Sequence, residues 1–377
     1  MMVMIKGEIK GFCPSNYQEV ADKFLENLNS EEEIGASFTV IQNGKLIIDI
    51  HGGFKDKEQT DLWNADTLVG VHSTGKGIIS MLIALLIDQK KLDLDEFVSS
   101  YWPEFKGDGK EEIKVRTLLS HQGGMYAWRE KVHEDDFHNW AYVVELLEKQ
   151  SPLHKPNELI CYHPKTIGFL VGELIRRITK KTIGEFLKEQ ISIPLNVECF
   201  IGTPEVYHDN IATLISAPSL RKAFSDPKNI DEYTLVSFLN PGNRTKTANT
   251  KEYRLAEIPA LNCHSNSKSL AQIYDYFLNS DFISRDTFDQ VTSIEVKGED
   301  QVMKRPMQWS PIGFSIGGGK LFGKSNLSFG HTGWGGSMAF ADPENNLSIS
   351  YTMNMLTGSM LGDQRALSLV ETTYKNL

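Results

Sequence analysis

Apolar positions recur at helical spacing in 15–29 (SNYQEVADKFLENLN), where Val20, Phe24, Leu25 and Leu28 would share one face. The pattern then switches to period two. ASFTVIQ and KLIIDIH read as strands, and Asn43-Gly44 between them is a strong hairpin-turn signal. From 73 to about 190 helical patterns dominate, broken by polar loops near 106–112 and 129–139. Residues 202–262 are irregular and rich in Pro, Asn and Thr, and 268–279 form another amphipathic helix. Strand patterns return from about 312 in IGFSIGGGKLF, SMAFADP and NLSISYTMN, and 362–376 closes as a helix. Strands at both ends with helices between predict an α+β fold. An antiparallel sheet flanked by helices would be built from both chain ends, around a mostly helical inserted subdomain. Residues 1–377 then form a single domain, with an α/β part of about 1–72 and 262–377 and a helical part of about 73–261.

Composition narrows the partners. The 377 residues carry 40% hydrophobic and 23% charged side chains and a net charge of −10. That balance is globular and repels phosphate backbones and anionic lipid, so neither nucleic acid nor membrane is an expected partner. The longest apolar run, Ile78 to Ile87, is far shorter than the ~20 residues that span a bilayer and reads as a buried helix. MMVMIKGEIKGF has neither the basic start nor the apolar stretch of a secretory signal, so a cytoplasmic location is expected. Cys13, Cys161, Cys199 and Cys263 are scattered without a CxxC pair and read as reduced structural thiols. No cofactor is called for, and the oligomeric state is not legible.

Three SxxK matches offer nucleophiles: Ser73-Thr-Gly-Lys76, Ser225-Asp-Pro-Lys228 and Ser265-Asn-Ser-Lys268. A serine and lysine three apart on a helix share a face, so the amine reaches the hydroxyl. Burial disfavours the ammonium form, and a neutral amine can take the serine proton. The helix N-terminus supplies unpaired N–H groups for an oxyanion. Ser73 fits best, because GIISMLIALLI follows and would be buried. Pro227 interrupts the second match, and Ser265 or Ser267 is more simply a helix N-cap. Gly313-Phe-Ser315-Ile-Gly317 matches GxSxG but is followed by GGGKLFG rather than a helix. Gly70 to Lys76 fits GxxxxGK, yet Gly77 stands where a P-loop needs Ser or Thr. Tyr162 opens another helical stretch and could move protons. Gly330-His331-Thr332-Gly333-Trp334-Gly335-Gly336 precedes a strand, where glycines would let a substrate lie against backbone. His133 to His138 lacks HExxH spacing, and Cys161 and His163 lack a second pair, so neither reads as a metal site. Trp128, Trp309 and Trp334 are candidates to line an apolar acyl pocket.

SxxK, then a tyrosine opening a later helix, then HTG before a C-terminal strand resemble the serine β-lactamase and DD-peptidase superfamily. The likeness spans roughly 15–375 and is closest to the family VIII esterases, which are similar to class C β-lactamases. DTLVGVHSTGKG, RTLLSHQGGM and FGHTGWGGSMAFADP add to it. The resemblance implies Ser73 as acylated nucleophile and Lys76 as its amine partner. Tyr162 would stand as the YxN tyrosine, its phenol shifted downward by a nearby ammonium. His331-Thr332-Gly333 would replace KTG, and the backbone N–H groups of Ser73 and Trp334 would form an oxyanion hole. Gly333 and Trp128 would help bind substrate. Two departures matter: Pro164 replaces the Asn of YxN, and His331 replaces the Lys of KTG. Both disfavour anionic β-lactams and suit a small or medium neutral ester. The other readings are an amide or lactam at the same site, and a ligand-binding homologue without catalysis.

Overall fold

Asn43 and Gly44 both take the left-handed backbone, φ 52° and 71°, that a two-residue hairpin turn demands. They join β2 (Gly35–Gln42) to β3 (Lys45–Gly53), and β1 (Lys10–Phe12) extends the sheet beyond β3. This computed structural model describes residues 8–223, 231–242, 244–317, 321–359 and 361–377. Ser225 and Lys228, and the glycine run at 318–319, lie outside them. The other end of the chain contributes β8 (Val296–Asp300), β9 (Arg305–Trp309), β10 (Ser315–Ile316), β11 (Phe329–Thr332), β12 (Met338–Asp342) and β13 (Leu347–Met353). All nine form one antiparallel sheet, ordered β1-β3-β2-β13-β12-β11-β10-β9-β8. The two chain ends meet where β2 pairs with β13, with Phe38 opposite Tyr351.

The sheet is a core element because β13 is buried along its whole length. The helix Ser267–Asn279 packs on it through Leu270, Ile273, Tyr274 and Phe277. The helix Gln18–Leu28 buries Val20, Phe24 and Leu28 between β3 and the closing helix Gln364–Lys375. Leu25, expected on that face, points outward at 37% exposure. The helix Gly75–Asp88 is apolar on nearly every side and correspondingly buried from Gly75 to Leu86. A small sheet of β4 (Val69–Gly70), β7 (Cys263–Ser265) and β5 (Cys199–Ile201) leads into it, and β6 (Ile215–Ser216) pairs with β14 (Met355–Leu356). No helix among the described residues is long and apolar enough to cross a membrane.

Several local readings are corrected. The hairpin β8–β9 precedes the expected return of strands at 312, and of IGFSIGGGKLF only Ser315–Ile316 is a strand among the described residues. The stretch 202–262 contains the helices Glu232–Leu239, Thr245–Ala248 and Lys251–Leu255. The N-cap before 267 is Asn266, whose Oδ1 accepts from Ser269 N–H. Ser265 lies in β7 and donates to the Glu198 carbonyl. Ser315 lies in a strand rather than at a strand-to-helix elbow. β4 is two residues long and pairs antiparallel, unlike the parallel strand a P-loop follows.

Candidate active site

Ser73 occupies a single 3-10 turn, His72–Thr74, that runs into the helix Gly75–Asp88. His72 holds a positive φ of 47°, a costly conformation for a side chain with a Cβ. The turn is pinned from behind. Ser337 Oγ donates to the Val71 carbonyl at 2.9 Å and lies 2.9 Å from Thr74 Oγ1. Gly333 packs onto the same turn: a Cβ there would fall 2.3 Å from the Val71 oxygen and 2.2 Å from Ser337 Oγ. The glycine therefore admits the protein's own backbone, where the sequence suggested room for substrate. Gly333→Ala should cost about 1–3 kcal/mol by overpacking, read as a lower unfolding midpoint. A midpoint within error of wild type would contradict this packing role.

Lys76 Nζ lies 2.7 Å from Ser73 Oγ, 2.8 Å from the Pro164 carbonyl and 3.1 Å from the Ala260 carbonyl. Carbonyls only accept, so two N–H bonds are committed to them. A neutral amine arranged this way keeps its lone pair for Ser73. Burial pushes the Lys76 pKa well below the ordinary lysine value, and no carboxylate offsets it. Pro164 thus takes part through its backbone oxygen, although it lacks the amide of the family's asparagine.

Tyr162 is hydrogen-bonded to Ser73, and its ring centroid is 5.2 Å from Lys76 Nζ. Burial raises the phenol above its ordinary value of 10. The sequence reading expected a decrease caused by a nearby ammonium. The structure reverses the sign because burial of the phenol, with the Asp300 carboxylate nearby, outweighs its bond to Ser73. Tyr162 is therefore a proton-bearing phenol at neutral pH.

Its orientation is fixed by Asp300 and His121, which have no role in the sequence reading, and by Trp309, expected to line a pocket. Asp300 Oδ1 accepts from the backbone N–H of Tyr162 (3.1 Å), Val302 (3.0 Å) and Met303 (3.0 Å). Trp309 stacks on the phenol ring with centroids 5.4 Å apart and planes 4° off parallel. His121 meets both rings edge-on at 5.0 and 4.5 Å. His163 accepts from Met125 N–H through Nε2 and therefore donates from Nδ1 to the Cys161 carbonyl, which occupies both nitrogens without a metal.

His331 ends up beside Tyr162, with ring centroids 5.9 Å apart. Its Nδ1 is 2.7 Å from the Thr332 carbonyl, so Nδ1 carries the proton. Nε2 has no protein partner. Burial lowers its pKa to about 3, leaving the imidazole neutral. Trp334 is half-buried, faces Ser73 and packs edge-on against His72 at 5.5 Å. Trp128 is a correction. It is 2% exposed in the helical core, donates to the Val143 carbonyl and packs on Phe137 and Phe169, away from the cavities at Ser73. Cys199 and Cys263, distant in sequence, bring their thiols within 3.7 Å behind the Ser73 turn.

Two cavities of unequal size open at Ser73. The larger, of about 990 Å³, is walled by Pro164, Leu220, Pro241 and Leu261 and carries Lys131, Glu134 and Arg244 toward its mouth. Lys165 forms part of its wall and donates to the Phe238 carbonyl at 2.7 Å and to the Pro241 carbonyl. Burial lowers the Lys165 pKa to about 7. The smaller, of about 20 Å³, lies between Ser73 and Tyr162, His331 and Trp309. Among the described residues, no group of three or more His, Cys, Asp or Glu is placed to hold a metal ion.

A serine bonded to a buried lysine, with a buried tyrosine beside it, is the arrangement of serine β-lactamase-like hydrolases. The family model for beta-lactamase matches residues 20–372, and the chain belongs to that family. The solved structure of a family VIII carboxylesterase superposes with a TM-score of 0.91 at 31% identity, covering 98% of this chain and all (100%) of that one. A penicillin-binding protein homologue from Caulobacter crescentus gives 0.87 at 30% identity, again over 98% and 100% of the two chains. The esterase/beta-lactamase LipL of Mycobacterium tuberculosis is 25% identical over 354 residues, 87% of this chain and 78% of its own. The protein is thus a hydrolase of the serine hydrolase superfamily, with a β-lactamase/transpeptidase-like α+β fold.

Proposed function

We propose that this enzyme cleaves small or medium carboxylic esters through an acyl-Ser73 intermediate. The observation that carries the reading is the three-way environment of Lys76, which leaves a lone pair for the serine hydroxyl. Lys76 takes the Ser73 proton as Ser73 Oγ bonds to the ester carbonyl carbon. The backbone N–H groups of Ser73 and Trp334 stabilise the oxyanion. Tyr162 donates its proton to the departing alkoxide and recovers it from Lys76. Water then enters the same relay in reverse, giving the acid and restoring Ser73.

Two features favour an ester over a lactam or other amide. Pro164 offers no side-chain amide to an amide substrate, and neutral His331 offers no cation to a substrate carboxylate. An alkoxide also asks less of its proton donor than an amine does. Intact-mass measurement after treatment with a fluorophosphonate tests the nucleophile. One adduct is expected on the wild type and none on Ser73→Ala. An adduct of equal yield on Ser73→Ala overturns the assignment.

A further inference from the structure

Gly313 belongs to the GxSxG match that the fold left without a role, and it lines an interior cavity of about 20 Å³ that Lys76 also borders. Every residue lining this cavity is buried. Much of the wall is apolar, with Ile83 and Val171 among it, but three polar groups border it too. A Cβ on Gly313 would lie 3.0 Å from the Leu119 oxygen and 3.8 Å from Ser80 Oγ, so both oxygens face the open side of the glycine. Leu119 ends the helix Val115–Leu119, where the last carbonyls have no in-helix donor. Ser80 donates to the Ile312 carbonyl at 2.7 Å and can still accept. The third group is His121, 1% exposed and held neutral by burial. Its Nδ1 accepts from His163 N–H at 3.2 Å, so Nε2 carries the proton, and among the described residues Nε2 has no acceptor.

We propose that this cavity binds one water molecule, which accepts from His121 Nε2–H and donates to the Leu119 carbonyl and Ser80 Oγ, and that His121 so held is a positioning residue for Tyr162. The space suits a single water, which needs roughly 10–15 Å³. A wholly apolar cavity stays dry, but roughly two to four polar partners hold a water in place. A buried N–H without an acceptor costs at least as much as immobilising one water.

His121 in turn brackets the tyrosine. Its carbonyl accepts from Cys161 N–H at 2.9 Å and its ring accepts from His163 N–H, the two residues that flank Tyr162. The imidazole and phenol rings meet edge-on, with centroids 5.0 Å apart. Ser80 lies one turn beyond Lys76 on the same helix. The water therefore ties the helix that carries the amine to the segment that carries the phenol.

The positioning role rests on the ester-hydrolase reading; the water does not. A high-resolution crystal structure of the wild type should show one water within hydrogen-bonding distance of all three groups. His121→Phe keeps a ring beside Tyr162 and removes the N–H, so its structure should lack that water. Ethyl and p-nitrophenyl butanoate then report on the phenol, because kcat/KM follows acylation and only the ethoxide needs a proton as it leaves. His121→Phe should lower kcat/KM about tenfold for the ethyl ester and less than about twofold for the p-nitrophenyl ester. Ser80→Ala keeps the bond between His121 and His163 and should show the same selective loss in smaller measure, which preserves the test if His121→Phe does not fold. A wild-type structure without the water would overturn the site. Equal losses on the two esters, or no loss in either variant, would overturn the positioning role. Wild-type protein that cleaves neither ester would overturn the ester reading and the positioning role with it, while the crystal structure still decides the water.

Discussion

Lys76→Met lowers kcat/KM for ester hydrolysis by at least about 10³-fold while the fold persists, the scale expected when a proton-transfer group is removed from a coupled unit. Methionine fills a similar volume without carrying charge into the core, so the circular dichroism spectrum and unfolding midpoint should stay close to wild type. The loss comes from chemistry: two carbonyls and one serine converge on Nζ, and nothing else there can take the Ser73 proton. The wild-type pH profile follows from the signs of two shifts. Lys76 must be neutral to act, and its pKa is lowered by burial, so activity rises from the acid side and is already present in the neutral range. Tyr162 must be protonated to act, and its pKa is raised, so no loss through Tyr162 is expected below about pH 10. A variant keeping more than a tenth of the activity would refute the role of Lys76. An alkaline limb below pH 10 that disappears in Tyr162→Phe would refute the raised pKa of Tyr162.

The second large effect is on stability. Arg365 is 6% exposed and binds Asp363 at 2.8 Å and Glu33 at 3.2 Å. It also donates to the carbonyls of Met355 (3.1 Å) and Gly335 (2.8 Å), tying the closing helix to the glycine turn that presents Trp334. Arg365→Met should cost about 3–5 kcal/mol, because it strands two buried carboxyl groups, Asp363 and Glu33, and leaves the carbonyls of Glu32, Met355 and Gly335 without their donor. Chemical denaturation should show this as a lower midpoint. The pH dependence has a definite sign. Burial raises Glu33 from 4.5 to about 7 even with Arg365 beside it. A raised carboxyl contributes stability that is complete below pH 4.5 and lost as pH climbs through 7. Arg365 is what holds Glu33 down, so in Arg365→Met this loss should extend to higher pH. A midpoint shift worth less than 1 kcal/mol, roughly the scale of an exposed pair, would refute the argument.

The legible part of the site was its local part. Ser73 and Lys76 are three positions apart ahead of an apolar helix, and spacing alone brings amine and hydroxyl together. Tyr162 came from motif order, which places a residue in the sequence but not the direction of its pKa shift. That sign depends on how deeply the phenol is buried and on Asp300, which reaches it from a remote segment. Asp300, and the stacking of the pocket candidate Trp309 on Tyr162, are not legible for the same reason. They reach Tyr162 through the hairpin β8–β9, whose strands VKGED and RPMQW carry Gly, Pro and charge and so give a weak strand signal. Trp128 was misplaced because a large aromatic ring suits a core as well as a pocket, and its N–H found the Val143 carbonyl inside the protein. The N-terminal hairpin was read almost to the residue because Asn43-Gly44 encodes its own backbone.

The seam between β2 and β13 has a consequence for how the molecule is made. Its partners lie about 300 residues apart in sequence, and on a ribosome β2 waits, unpaired on that side, until β13 has emerged. Such distant closure is slow, because ordering the intervening loop precedes the reward. A nascent or C-terminally truncated chain would therefore present an open, apolar strand edge to its neighbours, which makes shedding the final strands a route to aggregation rather than to a smaller enzyme.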